Sequence, residues 1–247
     1  MSRNIDNYEE VYLKSNFEKE MVRIRRRKVL EIMNDLKPKR ILEIGCGIES
    51  IFKFYSDFEL FTVVEPSRFF VEIAKKEKEN YSEKNIIIYQ DLVENIINEL
   101  KRDNYDLILL SGLLHEVKSP QYLISEIKKI MTTDTILHVN VPNSNSFHRV
   151  LAKEAGLIKT VFELSPNNIK LQQNTVFNLE NLEKLSTDND FIVQSKGSYF
   201  IKPFTHEQMQ NLLDENIIDS RVISGFYNMA KYMPNMGAEI FVNLKQA

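Results

Sequence analysis

The sequence predicts an α/β fold with a doubly wound, mostly parallel sheet and helices on both faces. Two observations support this prediction. Short apolar runs alternate with amphipathic helical segments from residue 40 to about residue 140, and such alternation produces parallel strands joined by right-handed crossovers. In addition, the first apolar run ends in an acidic residue and two glycines, as expected where a parallel strand ends at a ligand site. The predicted strands are 40–45, 60–64, 85–90, 105–111 and 134–140, and the predicted helices are 67–79, 91–101 and 119–131.

The segments on either side of this alternation are predicted to complete one domain, residues 1–247. Apolar residues at helical spacing predict an N-terminal helical cap over residues 1–38. Residues 143–178 are predicted to be an inserted helix (143–156) followed by a lid (157–178). The remaining predictions are a helix at 179–187, a strand at 191–200, helices at 205–214 and 217–231, and a last strand at 237–244.

Composition favours an ordinary globular protein. The chain has 247 residues, 43% hydrophobic and 27% charged, with a net charge of −3, whereas dedicated nucleic-acid binders are usually strongly basic. Its single cysteine, Cys46, excludes an intrachain disulfide and is interpreted as a small apolar filler. The N-terminus is too polar for a signal peptide, and no apolar run reaches the ~18 residues of a membrane span. We therefore expect a cytoplasmic location and no membrane partner.

The most informative motif is Arg40-Ile-Leu-Glu-Ile-Gly-Cys-Gly47, in which Glu43, Gly45 and Gly47 alternate. Glycines without a Cβ allow a ligand to lie against the main chain. The motif differs from the dinucleotide fingerprint G-x-G-x-x-G, because Ser50 stands where the third glycine would fall. A tight turn after a buried strand is the alternative interpretation.

Acidic residues also follow the second and third predicted strands. Glu65 lies 22 positions after Glu43 and precedes Pro66; its two carboxylate oxygens could accept both hydroxyls of a ribose, or it could be a helix N-terminal charge. Asp91, beside Leu92, could accept a hydrogen bond from an exocyclic amine such as that of adenine, or cap the next helix.

In this order and spacing, the segment from Leu30 to about Val141 resembles the core of class I S-adenosylmethionine (SAM) dependent methyltransferases. The resemblance implies a Rossmann-like seven-stranded sheet whose last strand is antiparallel, with SAM as the cofactor and S-adenosylhomocysteine (SAH) as its product. Its motifs assign roles to positions of this chain. The loop of Glu43, Gly45 and Gly47 lies under the methionine part, Glu65 and Pro66 lie at the ribose, Asp91 and Leu92 flank adenine, and Ser111 lies near the sulfonium. Glu49 departs from the small residue usual in that loop, and an N-terminal aromatic, Tyr12 or Tyr8, is expected to close over the cofactor.

The region after the fourth strand limits the possible classes of methyl acceptor. It reads Ser111-Gly-Leu-Leu-His115 and lacks the Asn/Asp-Pro-Pro-aromatic motif of amino-methylating nucleic-acid enzymes. An acidic cluster for a divalent cation is not evident either, so no metal is predicted. His115 is the candidate catalytic base for a hydroxyl acceptor; shaping the pocket or binding the acceptor through hydrogen bonds are its alternative roles.

The segment after the fifth strand, Val141-Pro-Asn-Ser-Asn-Ser-Phe-His-Arg149, suggests a site for an anionic group at a helix N-terminus. A capped helix with His and Arg facing solvent is the alternative. Residues 141–158 resemble bacterial small-molecule methyltransferases of surface-saccharide and phosphonate pathways, including phosphoramidate methylation in capsule decoration. The candidate acceptor-binding residues are His115, Asn143, Asn145, His148, Arg149, Tyr199 and Lys202.

The leading hypothesis is O-methyl transfer to a small anionic metabolite: a phosphate, phosphonate, phosphoramidate or sugar derivative. Alternatives are N-methylation of an amino-sugar nucleotide and RNA methylation through the basic residues between Arg23 and Arg40. A solvated helix face is favoured for those basic residues because no aromatic residues interleave them. A catalytically silent SAM-binding partner subunit is a further alternative, and Ser50 disfavours a nicotinamide dehydrogenase.

Overall fold

The computed structural model describes residues 17–165, 168–169 and 173–247. These form a seven-stranded sheet with the order β3-β2-β1-β4-β5-β7-β6. The first five strands are parallel, and β7 is antiparallel to both β5 and β6. The predicted fold class is confirmed, including the antiparallel last strand. The strands are β1 (Arg40–Ile44), β2 (Leu60–Val64), β3 (Ile86–Tyr89), β4 (Leu107–Ser111), β5 (Ile136–Pro142), β6 (Phe191–Tyr199) and β7 (Glu239–Gln246).

Helices cover both faces of the sheet, as predicted. The described helices are α1 (Glu18–Leu36), α2 (Arg68–Lys78), α3 (Ile97–Leu100), α4 (Pro120–Lys128), α5 (Phe147–Glu154), α6 (Leu179–Thr187), α7 (His206–Asp214) and α8 (Ser220–Asn228). Side chains of α3, α4 and α6 share a core with one sheet face, whereas α1 and α2 pack on the opposite face. The first half of α1 joins α7 and α8 in a third cluster against the ends of β6 and β7.

Local signals explain where several helices begin. Ser119 caps α4, and Pro120 occupies its first turn, where a missing N–H costs nothing. Asn178 and Asn181 form a reciprocal capping box at α6. Thr205 and Gln208 do the same at α7.

Two predicted helices differ from the structure. The helix predicted at 91–101 is a 3₁₀ turn (Val93–Asn95) followed by the short α3, because Asp91 Oδ1 accepts from Leu92 N (2.7 Å) and Asn95 Nδ2 (2.6 Å) and stabilises a turn. The helix predicted at 143–156 begins only at Phe147.

The fifth strand also shifts along the chain, from the predicted 134–140 to Ile136–Pro142. Thr135 Oγ1 accepts from Thr132 N (2.9 Å) and donates to Tyr105 O (2.7 Å), so the turn before the strand extends through Thr135.

Strand order reverses between β1 and β4, which are neighbours in the sheet. In open α/β sheets the crevice outside the carboxyl ends of the strands at such a point is where ligands bind. The carboxyl ends of β1 and β4 are followed by Gly45 and Gly112, both with positive φ.

Candidate active site

A cleft of about 900 Å³ lies at this edge of the sheet. That volume falls within the range of small-molecule and cofactor sites, roughly 300–1,000 Å³. All of the predicted cofactor residues that the structure describes line it: Glu43, Gly45, Gly47, Glu65, Pro66, Asp91, Leu92 and Ser111. Tyr8 and Tyr12 lie outside the described residues.

The loop after β1 adopts a conformation that favours glycine. Gly45 and Gly47 have φ values of +78° and +56°, and Gly45 N donates to Val64 O (2.9 Å), which anchors the loop to β2. A Cβ at Gly45 would lie 3.5 Å from the side chain of Leu113 across the cleft. Both glycines are therefore suited to a loop that a ligand approaches closely.

Glu43, at the end of β1, stabilises the segment that follows this loop. Its carboxylate accepts from Ser50 Oγ and from Ile51 N (3.2 Å), and its side chain is buried. Burial raises the pKa of Glu43 to about 8, and the nearby Glu65 adds to this effect.

The raised pKa of Glu43 predicts a pH dependence of stability. Between its ordinary pKa of 4.5 and about 8, the folded protein binds more protons than the unfolded chain, so the free energy of unfolding falls as pH rises. The fall amounts to about 1.4 kcal/mol per pH unit for one proton. Glu43→Gln should remove this contribution, and denaturant titrations from pH 5 to 8 should show a flatter profile than wild type. The exposed control Glu99→Gln should keep the wild-type slope; identical slopes for Glu43→Gln and wild type would contradict the prediction.

Glu65 follows β2 and is held by two backbone amides. Its Oε2 accepts from Cys46 N (3.1 Å), and its Oε1 accepts from Ser67 N (2.9 Å). The first of these bonds joins Glu65 directly to the glycine loop. Cys46 itself is buried, and burial raises the pKa of its thiol, which agrees with a filler rather than a nucleophile.

The sequence left two roles open for Asp91, a cap of the following turn and a contact with adenine, and the structure shows the first of them directly. Its Oδ1 binds the following turn, as a cap would. The residue also lines the cleft, and the half-exposed side chain of Leu92 forms part of the adjacent wall. A role of Asp91 at adenine stays a prediction.

Ser111 ends β4, and the next residue, Gly112, lies against an arginine of the first helix. A Cβ at Gly112 would lie 3.3 Å from Arg25 Nη1, so the guanidinium packs against the glycine backbone. Arg25 is held there by Glu18 and by Glu239, whose Oε1 lies 3.3 Å from Arg25 Nε. The cleft therefore has a fixed cation next to the end of β4.

His115, the candidate base, is not among the residues lining the cleft. Its side chain is buried, with Nε2 3.8 Å from Glu116 Oε1, and its carbonyl accepts from Asn174 N (2.9 Å) and Thr175 N (3.1 Å). It is Glu116, the next residue, that lines the cleft.

The residues after β5 also lie outside the cleft lining. Asn143 donates to the carbonyls of Asn235 and Gly237 and accepts from Asn145 N (2.9 Å). These bonds shape the turn before α5 and explain its late start. Arg149 donates through Nε and Nη2 to the carbonyls of Val161 and Glu163, so it supports the segment after α5.

His148, Tyr199 and Lys202 belong to a buried polar cluster that reaches the cleft through Arg25. Lys202 Nζ lies 2.9 Å from His206 Nδ1. Burial lowers the pKa of Lys202 to about 7, and it also lowers the pKa of His148, where Lys202 adds to the effect. Glu18 and Glu239, which hold Arg25, are the acidic members of this cluster.

Motif reasoning missed several residues of the cleft wall: Arg25, Arg26, Lys118 and Tyr122. The solvated-face interpretation of the basic segment does not describe Arg25, whose side chain is only 18% exposed. A signal was available, because Arg25 lies four positions from both Met21 and Val29 and therefore on the apolar stripe of α1.

The described residues contain neither a helix that could span a membrane nor a cluster of metal-binding side chains. Within residues 17–165, 168–169 and 173–247, each helix is too short or too polar to span a bilayer. In the same ranges no group of three or more His, Cys, Asp and Glu side chains could hold a metal ion.

A positive-φ glycine loop, an amide-anchored carboxylate after β2 and a cleft at the reversal of strand order define a protein that binds a nucleoside-type cofactor. A family model described as a methyltransferase domain matches residues 17–196, and the chain belongs to this family. The protein is a SAM-dependent methyltransferase, and its cofactor is SAM. No curated protein matches the sequence.

Solved structures share the fold at low sequence identity. Magnesium protoporphyrin IX methyltransferase from Synechocystis PCC 6803, with bound SAH, is 15% identical with a TM-score of 0.59, covering 100% of this chain and 95% of that one. The plantazolicin methyltransferase BamL, in complex with a desmethylPZN analog and SAH, is 14% identical with a TM-score of 0.56 over 98% and 96%. The Burkholderia thailandensis 1,6-didemethyltoxoflavin-N1-methyltransferase is 10% identical with a TM-score of 0.58 over 91% and 78%.

Proposed function

We propose that this methyltransferase transfers the methyl group of SAM to an oxygen of a small anionic acceptor, such as a phosphate, phosphonate, phosphoramidate or sugar derivative. Bound SAM supplies a methyl group on a positively charged sulfur. Glu65 and the glycine loop would hold its ribose and methionine parts, and Asp91 and Leu92 its adenine. The wall formed by Arg25, Gly112 and Leu113 is left for the acceptor.

The observation that carries the anionic acceptor is the position of Arg25. Its guanidinium lies on the cleft wall against Gly112, one residue after Ser111. A guanidinium offers several donors in a plane and remains charged at all working pH values. Arg26 and Lys118 are further cations of the lining.

The RNA hypothesis is weakened by the partners of the other basic residues on α1. Arg26 donates to Glu49 (2.6 Å) and stacks over Phe54. Arg27 bonds Glu31 and stacks over Tyr227. Nucleic-acid binding needs Lys and Arg side chains that neutralise phosphates and so release the counterions condensed on the nucleic acid, and Arg26 and Arg27 would first have to leave these partners. Arg25 is also paired, with Glu18 and Glu239, but it differs from them in lying against Gly112 at the cleft.

N-methylation of an amino-sugar nucleotide is the second candidate. Glu116 at the cleft would suit an amine, so the acceptor type must be tested directly. Calorimetry should first show binding of SAM and SAH. A labelled-methyl screen against phosphorylated, phosphonate and sugar-nucleotide metabolites, with mass analysis, should then place the label on oxygen of a charged acceptor. Label on nitrogen, or transfer to neutral analogues alone, would contradict the proposal.

We also expect transfer to be independent of metal ions. The positioning of two reactants at near-attack distance supplies up to roughly 7–11 kcal/mol, and an ionised acceptor oxygen needs no Lewis acid to attack a methyl sulfonium. Turnover measured with EDTA should equal turnover without it. A loss on chelation that Mg²⁺ restores would overturn this expectation.

A further inference from the structure

A series of hydrogen-bonded polar side chains crosses the sheet and ends at the cleft. Ser195 Oγ on β6 accepts from Asn243 Nδ2 (2.8 Å), and Asn243 Oδ1 lies 2.7 Å from His138 Nδ1. His138 Nε2 lies 3.0 Å from Asn140 Nδ2, which donates to Ser111 Oγ (2.8 Å). The series thus joins an exposed residue of the edge strand to a residue that lines the cleft.

The strand register accounts for this continuity. Asn140 is the direct partner of Ser111 across β4 and β5, and His138 is the direct partner of Asn243 across β5 and β7. His138 and Asn140 are two positions apart, so they share one face of β5. Their side chains are fully buried, and burying polar groups is costly unless they are hydrogen-bonded.

The hydrogen bonds that link these side chains all donate and accept in a defined order. Asn243 Oδ1 only accepts, so His138 carries its proton on Nδ1, and Nε2 accepts from Asn140. Burial lowers the pKa of His138 to about 4, which keeps the ring neutral. Both hydrogens of Asn140 Nδ2 are then used, one for His138 and one for Ser111.

Reversing the direction of these hydrogen bonds, by rotating the Asn140 amide, would cost more free energy. Among the described residues, Asn140 Oδ1 is buried and has no hydrogen-bond partner. Rotating the amide would bury an amino group with two unpartnered N–H bonds at that place. Buried unpaired N–H groups are rarer than under-satisfied carbonyls, so the direction in which Ser111 accepts from Asn140 is favoured.

We propose that His138, Asn140 and Asn243 position the Ser111 hydroxyl as a hydrogen-bond donor into the cleft, where it contacts the oxygen that receives the methyl group. Because Ser111 Oγ accepts from Asn140, its own hydrogen points elsewhere, and Ser111 has no other hydrogen bond in the described part of the chain. This inference rests on the proposed function and assigns a specificity role within the same site.

A hydrogen-bond donor at Ser111 favours an oxygen of the methyl acceptor over a nitrogen as the attacking atom. When an ionised acceptor oxygen attacks, a C–O bond forms, the S–CH₃ bond breaks and its electron pair stays on sulfur. No proton moves, and the Ser111 hydrogen stays on Ser111. The oxygen keeps further lone pairs to accept from Ser111, whereas the single lone pair of an amine must attack the methyl carbon. The chain of hydrogen bonds therefore matches an oxyanion acceptor.

The first test concerns the protein alone. The chain has four histidines, so ¹⁵N-histidine labelling, with His138→Gln to assign one ring, resolves the His138 tautomer by NMR. We expect a neutral ring with the proton on Nδ1 throughout pH 5.5–8. A proton on Nε2, or titration within that range, would overturn the proposed direction.

The second test measures recognition of an oxyanion. With SAH saturating each variant, inorganic phosphate is titrated and followed by ³¹P NMR. Ser111→Ala should weaken phosphate binding roughly 10- to 150-fold through loss of one hydrogen bond to a charged group, and Asn140→Asp, which draws the Ser111 hydrogen toward itself, should also weaken it. The exposed control Ser56→Ala should change it less than twofold.

The outcomes separate the two proposals. Two results would reject the role of Ser111 while leaving the methyltransferase site in place. One is equal phosphate affinity in Ser111→Ala and wild type, and the other is no phosphate binding to wild type loaded with SAH. Failure of wild type to bind SAH would instead reject the assigned cofactor site, and the histidine tautomer would still test the hydrogen-bond chain.

Discussion

Gly47→Val should abolish SAM and SAH binding, with a loss of more than about 100-fold. Gly47 has a φ of +56°, and a β-branched residue in this region is a strong outlier. Backbone strain of about 1–3 kcal/mol would be relieved by moving the loop, which would carry Cys46 N away from Glu65. The new side chain would also occupy the floor of the cleft, where the cofactor must lie against the backbone.

The chain offers a matched control for the strain. Gly156 has a φ of +73°, and a Cβ there would meet nothing within 4 Å. Gly156→Val should therefore lose stability as Gly47→Val does and yet bind SAH with wild-type affinity. Calorimetry measures SAH binding and thermal unfolding measures stability, so the two variants distinguish loss of the binding site from backbone strain. Wild-type SAH affinity in Gly47→Val would reject the assigned cofactor loop.

The second large effect is expected for Glu65→Ala, which should weaken SAH binding by on the order of 1–3 kcal/mol, or roughly 5- to 150-fold. The change removes a charged acceptor for two ribose hydroxyls. It also leaves Cys46 N and Ser67 N without their present partner. Glu65→Gln keeps one acceptor oxygen and should fall between the alanine variant and wild type.

Glu94 provides the comparison, since it is another carboxylate at the same cleft. Glu94→Ala should change SAH affinity less than twofold in the same calorimetric assay. Equal losses in Glu65→Ala and Glu94→Ala would mean that the general charge of the cleft, and not a specific contact with Glu65, determines affinity.

The parts of the fold that the sequence predicted correctly are those governed by local periodicity. The strands from β1 to β4 are short, almost uniformly apolar runs, and their ends carry the glycines and acidic residues that meet at one edge. Parallel topology then brings Glu43, Glu65 and Asp91 to a single cleft without further information.

The predictions after β5 depended on contacts that no local pattern contains. Asn143 looks like a residue free to meet a ligand, but it bonds carbonyls more than 90 positions later in the chain. Arg149 similarly bonds carbonyls of the following segment. The polar residues His138 and Asn140, by contrast, were visible inside an otherwise apolar strand, and alternation at that place was a usable signal of a buried polar chain.

The position of β7 has a consequence for how the protein is made. This last strand lies between β5 and β6 and is the sheet partner of β6, and its first residue, Glu239, holds Arg25 at the cleft. During synthesis, β6 therefore leaves the ribosome ahead of β7, the strand that joins it to the sheet. Arg25 gains its second carboxylate partner only when β7 emerges, so a nascent chain contains the glycine loop long before Arg25 is fixed at the cleft.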